Sequence, residues 1–238
     1  MRSRAGSGSA VSSLNLGYRP WDLVERVNEN RRQFLSAVGL GDATLATLHQ
    51  VHSNRVLIIE DSRGEWNQPE GDALITAAEG VALAVQVADC LPVLIADPVK
   101  RAIAAVHSGW RGTLSGVLTQ TIREMEKVFG SRAQDLTVAI GPGIRQCCFE
   151  VGSDVADLFE KKYPASGLAT PARSPDKFFL DLPRTLDIQL DMAGVQERNR
   201  HDMVACTRCR AGEFFSHRAE GSTSGRMMAL IGILERHP

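Results

Sequence analysis

The sequence predicts an α+β fold, a single domain of central mixed β-sheets flanked by α-helices, on three observations. Four short Val- and Ile-rich runs follow one another between residues 73 and 106, too brief for helices and too apolar for surface loops. Stretches of helical period stand between groups of such runs and do not alternate with each of them, which argues against a doubly wound βαβ sheet. The 238 residues, 43% hydrophobic and 23% charged, suit a soluble domain with a sizeable core.

The elements follow in order. Residues 1–10 are rich in Gly and Ser and read as a flexible tail ahead of one domain over 11–238. Pro20 opens a helix over 20–38, where Leu23, Val24, Val27, Phe34, Leu35 and Val38 form an apolar stripe that Gly39 and Gly41 end. β-rich runs at 45–48 and 56–59 flank a segment holding His49 and His52, and a polar loop over 61–71 carries Trp66 and Pro69. Strands are expected at 73–75, 81–87, 93–96 and 102–106. A helix over 113–129 then stops at Gly130. A strand over 136–140 runs into the turn Gly141-Pro142-Gly143-Ile144, ahead of Cys147 and Cys148. The remainder reads as a helix over 153–162, a Pro/Ser/Gly-rich loop over 164–175, a helix over 182–193, a loop with Cys206 and Cys209, and a last strand over 227–234.

Composition excludes several classes of partner. The 27 basic and 28 acidic side chains nearly cancel, and no Lys/Arg run exceeds two residues, so neither nucleic acid nor an anionic membrane has an electrostatic footprint. The apolar runs are broken by Asp89, Pro92 and Asp97, well short of the roughly 20 residues that span a bilayer. The basic N-terminus lacks the apolar stretch of a signal peptide, and five cysteines do not make a disulfide framework, so a reducing cytoplasm is expected. Nothing specifies oligomerisation, and a monomer is the expectation. The signatures of dinucleotide folds, P-loops and serine hydrolases are absent.

One constellation carries chemistry. Cys90 and His107 each stand where an apolar run ends, so both side chains can reach one edge of a sheet, and His52 lies in a similar place. Each alone would be read as a packed cysteine or a capping histidine. Together, two imidazoles and a thiolate suit Zn²⁺ and leave a fourth position open, as a catalytic metal requires. His49 and His52 fall between β-rich runs, where a spacing of three turns them to opposite faces, so only one can join the site. Gly109 and Gly112 admit a ligand close to the backbone, and Arg111 between them suits phosphate or carboxylate. Asp89 is the candidate for proton transfer or for orienting a ligand, and Arg111, Arg55 and Asp72 are candidate substrate-binding residues, Asp72 also a candidate ligand-orienting or proton-transfer group. Cys206 and Cys209 have the spacing of half a zinc knuckle, but no second pair follows them, so they read as a reduced loop pair. Cys147 and Cys148, adjacent in sequence, read as packing residues. A cluster of Phe214, Phe215, Ser216, His217 and Arg218, with Gly225 and Arg226, offers aromatic and cationic contacts.

Gln50-Val51-His52, Gly71-Asp72-Ala73, Ala88-Asp89-Cys90-Leu91-Pro92, His107-Ser108-Gly109-Trp110-Arg111-Gly112, Gly141-Pro142-Gly143-Ile144, Cys148-Phe149-Glu150-Val151-Gly152 and Phe214-Phe215-Ser216-His217-Arg218 together resemble the YfiH/laccase-domain family, once labelled multicopper polyphenol oxidases. The resemblance implies a layered α/β/β/α fold and a metal held by His52, Cys90 and His107. It also implies purine nucleoside phosphorylase activity on adenosine, inosine and methylthioadenosine, with adenosine deamination alongside; some bacterial members are linked to peptidoglycan editing. The expected partners are a small nucleoside and phosphate. The laccase label itself fails on the residues, because six histidines without a His-x-His pair cannot house four coppers. A single copper remains the alternative to zinc. A metal-free reading makes Cys90 a nucleophile with His107 as its base, and a third makes the chain a binding protein without turnover.

Overall fold

A computed structural model describes residues 14–62, 68–164 and 166–234. The expected tail over 1–10 and Trp66 lie outside the described residues. In chain order the elements are α1 (Val24–Ala37), β1 (Thr44–Ala46), β2 (Val56–Ile58), β3 (Ala73–Thr76), β4 (Val81–Val87), β5 (Leu91–Asp97), β6 (Ala102–Ser108), α2 (Trp110–Ser115), α3 (Val117–Phe129), β7 (Thr137–Ile140), β8 (Glu150–Gly152), α4 (Ser153–Lys162), β9 (Ala169–Pro171), β10 (Lys177–Leu180), α5 (Leu182–Ala193), β11 (Arg200–Asp202), α6 (His217–Glu220) and β12 (Met227–Gly232).

Two mixed sheets form the centre. The larger has strand order β11-β7-β5-β6-β3-β2, with parallel pairs at its two edges and antiparallel pairs between. The smaller has order β1-β4-β12, with β1 parallel and β12 antiparallel to β4. A third sheet, β8-β10-β9, is a separate antiparallel appendage.

The period of two along a strand explains the layering. On β6, Ala102, Ala104 and Val106 face a cluster with Leu118, Ile122 and Met125 of α3 and Leu182, Leu186 and Leu190 of α5. The intervening Ile103 and Ala105 face Val81, Leu83 and Val85 of β4. On β4 the alternate residues Ala82 and Ala84 turn outward, where Leu35 and Phe34 of α1 cover them. The order of layers is therefore helix, small sheet, large sheet, helices. Both faces of β4 and β6 are covered, so each reads in the sequence as a largely apolar run, interrupted in β4 by Gln86 and ended in β6 by His107 and Ser108.

Several expected boundaries shift for identifiable reasons. The first helix starts at Val24, not at Pro20, because Pro20 lies in a turn closed by the Asp22 N–H on the Arg19 carbonyl at 3.0 Å, and Leu23 is extended. The helix expected over 113–129 is two helices, the first beginning at Trp110 and the break falling at Gly116, whose φ is +84°. The strand expected at 93–96 extends over Leu91–Asp97 and includes Pro92. The loop expected over 164–175 contains β9, which pairs with β10. The runs over 81–87 and 93–96, consecutive in the chain, lie in different sheets, so residues 88–90 cross between them.

Gly116 gives a direct test of the broken helix. A Cβ there would sit 2.8 Å from the Thr119 Oγ1, on a left-handed backbone that L-residues adopt at a cost. Gly116→Ala should lower stability by about 1–2 kcal/mol, seen as a reduced denaturant midpoint at unchanged m-value.

Candidate metal centre

The antiparallel register of β5 and β6 sets Leu91 opposite Ser108 and Pro92 opposite His107. Cys90, immediately before β5, and His107, near the end of β6, therefore meet at one edge of the large sheet. His52 arrives from a turn, with a left-handed φ of +61°. Its Nε2 lies 3.8 Å from the Cys90 Sγ, and its ring stands edge-on to that of His107 with centroids 4.8 Å apart. One ligand atom from each of the three residues falls within 4.8 Å of the others. Around a tetrahedral zinc with bonds of about 2.1 and 2.3 Å, a nitrogen and a sulfur stand about 3.6 Å apart, so the donor set and its spacing fit the ion. His107 is buried, Cys90 partly so and His52 exposed, which leaves the open side of the cluster toward solvent.

Asp72 organises the cluster from beneath. Its carboxylate is fully buried and accepts from the N–H groups of Val51 (3.3 Å), His52 (2.9 Å) and Ser53 (2.5 Å), and from the Ser53 hydroxyl at 2.7 Å. Three successive N–H groups converging on one anion hold the turn in its otherwise unfavourable left-handed form. The same carboxylate stands 2.8 Å from the His107 Nδ1, fixing the tautomer that leaves Nε2 free to bind metal. Burial works to raise the Asp72 carboxyl, but the bonds from His107 and Ser53 and the His107 charge outweigh it and bring the group down to about 2. Burial likewise opposes charge on the other two groups. The His107 charge nonetheless pulls the Cys90 thiol below the ordinary thiol range, and Cys90 and Asp72 together hold the His107 imidazole above its ordinary value.

The other sequence candidates are placed as follows. Asp89, φ +89°, has both carboxylate oxygens engaged, Oδ1 by the Thr207 hydroxyl and Oδ2 by the Arg218 N–H, each at 2.6 Å. Its carbonyl accepts from Ile144 N–H at 2.7 Å, so every acceptor of this residue braces the crossing that carries Cys90. Asp72 lies wholly beneath the ligands, with no surface of its own for a substrate. Arg111 is exposed, its guanidinium 4.2 Å from the Trp110 ring centre, and Arg55 is exposed on the strand side of the His52 turn. His49 points away from the cluster, toward Glu70. His217 bonds the Gly221 carbonyl through Nδ1, and His201 is exposed on β11.

Two features of the site were not legible as such. Gly109 is required by contact: a Cβ there would stand 2.7 Å from the His52 Cδ2 and 3.0 Å from the Cys90 Sγ. Arg226 is half-buried, its Nη1 donating to the Ser224 and Gly225 carbonyls at 3.1 and 2.9 Å, and burial followed by the charge of Arg19 lowers its pKa while Cys90 and Asp89 act to raise it. The sequence signal for Arg226 was the Gly225-Arg226 pair, but no spacing ties it to residues 130 positions away.

Two substitutions test this arrangement. Gly109→Ala should push His52 and Cys90 apart, and Asp72→Asn should remove the anion that holds both His107 and the His52 turn. Each should weaken binding of a divalent metal about 10- to 100-fold, measured with added zinc by competition with a chromogenic chelator.

A family model described as multi-copper polyphenol oxidoreductase laccase matches residues 1–234. A purine nucleoside phosphorylase of Deinococcus radiodurans is 37% identical over 238 residues, covering 98% of this chain and 88% of that one. An adenosine deaminase RL5 from an unknown prokaryotic organism is 31% identical over 233 residues, covering 94% and 88%. The crystal structure of YlmD from Geobacillus stearothermophilus superposes with a TM-score of 0.86 at 32% identity, covering 98% of this chain and 90% of that one. With nearly its whole length matched in sequence and in fold, the chain belongs to the YfiH/laccase-domain family, described as multi-copper polyphenol oxidoreductase laccase.

Proposed function

We propose that this protein is a zinc-dependent purine nucleoside phosphorylase that also deaminates adenosine, using adenosine, inosine or methylthioadenosine with orthophosphate as second substrate. The convergence of His52, Cys90 and His107 on one point, with Asp72 orienting His107, carries the reading. Its support from kinship is the similarity to a purine nucleoside phosphorylase and to an adenosine deaminase. Zinc is chosen over copper because none of the five cysteines is in a disulfide and a redox-inert ion is compatible with a thiolate ligand.

Phosphorolysis forms a bond between a phosphate oxygen and the ribose anomeric carbon while the carbon–nitrogen bond to the base breaks, and the base leaves with a proton. Deamination adds water at the base carbon that bears the amine and releases ammonia. A bound zinc would supply Lewis-acid stabilisation of developing negative charge. The chain's own residues supply the rest. Arg111, at the start of α2 beside Gly109, and Arg226, whose charged form Cys90 and Asp89 favour, provide cations for phosphate, with Arg55 at the rim of the His52 turn. The Asp72–His107 bond fixes which imidazole nitrogen faces the substrate side. Asp89 acts as a positioning residue for Cys90, because proton transfer from it would break a bond to Thr207 or Arg218.

One observation favours a second reading. The lowered Cys90 thiol beside the raised His107 imidazole is the charge pair of a cysteine nucleophile and its base, suited to cleaving an amide in a cell-wall precursor. Metal removal separates the two. Stripping zinc with a chelator should abolish phosphate-dependent cleavage of adenosine and inosine, and zinc should restore it; a metal-free preparation that keeps its activity would favour the nucleophile.

His52 is the ligand of choice for mutation because it is exposed and its loss costs the core little. His52→Ala should lower phosphorolysis and deamination together by at least about a hundredfold, at an unchanged far-ultraviolet circular dichroism spectrum. Arg111→Gln and Arg226→Gln should each raise the KM for phosphate about tenfold with little change in the KM for nucleoside, measured by initial rates at varied phosphate.

A further inference from the structure

Four of the five cysteines meet at a place distinct from the His52 cluster. Cys147 and Cys148 lie in a turn after β7, and Cys206 and Cys209 lie in a turn after β11. Their four sulfur atoms all fall within 4.8 Å of one another. Cys209 Sγ stands 3.3 Å from that of Cys148 and 3.6 Å from that of Cys147, and none of them is in a disulfide. We propose that Cys147, Cys148, Cys206 and Cys209 form a second, structural zinc site with an all-thiolate tetrahedral ligand set.

Four observations lead there. Zinc–sulfur bonds of about 2.3 Å place the sulfurs of a tetrahedral site about 3.8 Å apart, close to the spacings found. The adjacency of Cys147 and Cys148, which in an extended strand would send them to opposite faces, is no obstacle in this turn. The N–H groups of Cys148 and Phe149 both bond the Arg145 carbonyl at 2.9 Å, so the chain curls and both sulfurs reach Cys209. The second turn has the two-residue spacing of a zinc knuckle. The two turns are also stitched backbone to backbone, with Gly143 N–H on the Ala205 carbonyl at 3.2 Å and Thr207 N–H on the Gly143 carbonyl at 3.1 Å. Four converging sulfurs without a cation gain little from their mutual approach; a divalent ion would bind them all as thiolates, releasing the thiol protons to solvent.

The site would act as a staple for the metal centre. The two turns it joins supply Ile144 and Thr207, which bond the carbonyl and carboxylate of Asp89, next to Cys90. A zinc closing them would fix the crossing between sheets without touching substrate.

Zinc content under reducing conditions, measured by elemental analysis after gel filtration, tests this. The unmodified chain should carry two zinc ions, the His52→Ala/Cys90→Ser double variant one, and the Cys206→Ser/Cys209→Ser double variant one. Cobalt(II) loaded into the His52→Ala/Cys90→Ser chain should give intense thiolate-to-cobalt charge-transfer absorption with the visible bands of a tetrahedral ion. Should Cys206→Ser/Cys209→Ser not fold, the His52→Ala/Cys90→Ser chain still decides, since its four cysteines are intact. A folded His52→Ala/Cys90→Ser chain that holds no zinc, or cobalt bound there without thiolate charge transfer, would overturn the site and leave the His52 centre untouched. Recovery of the four cysteines as disulfides from reductant-containing preparations would overturn it as well.

Discussion

The buried carboxylate of Asp72 is the constraint on which the rest of the centre depends. It binds three successive N–H groups of the His52 turn, the Ser53 hydroxyl and the His107 imidazole with a single pair of oxygens. A buried anion is costly unless fully paired, and removing one partner of such a pair exposes that cost. Here the pairing joins a turn after β1 to the end of β6. The chain also fixes Asp72 from its own backbone: its N–H bonds the Arg55 carbonyl at 3.0 Å and its carbonyl accepts the His107 N–H at 2.7 Å. Ligand orientation and strand pairing are therefore one structure.

The third ligand is held by a different device. Cys90 lies on the short crossing from the small sheet to the large one, where Asp89 adopts a left-handed backbone. Such a conformation persists in a non-glycine residue only when its surroundings over-determine it, and Thr207, Arg218 and Ile144 each contribute a bond to Asp89. Gly143 packs beneath this crossing, with the place of a Cβ 3.0 Å from the Asp89 carbonyl and 3.2 Å from that of Cys90. The candidate metal centre thus rests on two independent supports, an anion under the histidines and a braced crossing under the cysteine.

Much of this was legible in the sequence where a local rule governs. The apolar runs of β4 and β6 announced strands covered on both faces, and α4 and α5 fell at Ser153–Lys162 and Leu182–Ala193 as their helical period requires. The break at Gly116 was missed because the apolar stripe continues across it from Leu114 to Val117 and Leu118, and periodicity does not register one left-handed residue. The pairing of Cys147 and Cys148 with Cys206 and Cys209 was missed for a related reason. A search for a second pair after Cys209 looks along the chain, whereas the partner pair precedes it by some 60 residues and arrives through the β7–β11 pairing.

By itself the sequence determined which residues are candidate ligands, the strands that end at them and the apolar period that buries those strands, because each depends on neighbours a few residues away. Only the tertiary structure decided that β4 and β5 belong to different sheets, that Asp72 lies under His107 instead of facing substrate, and that Asp89 has its oxygens spent on the chain itself. Those outcomes depend on which backbone groups remain unpaired when the sheets and turns close around them. No local pattern encodes that, since the donors and acceptors that meet at Asp89 come from positions 144, 207 and 218.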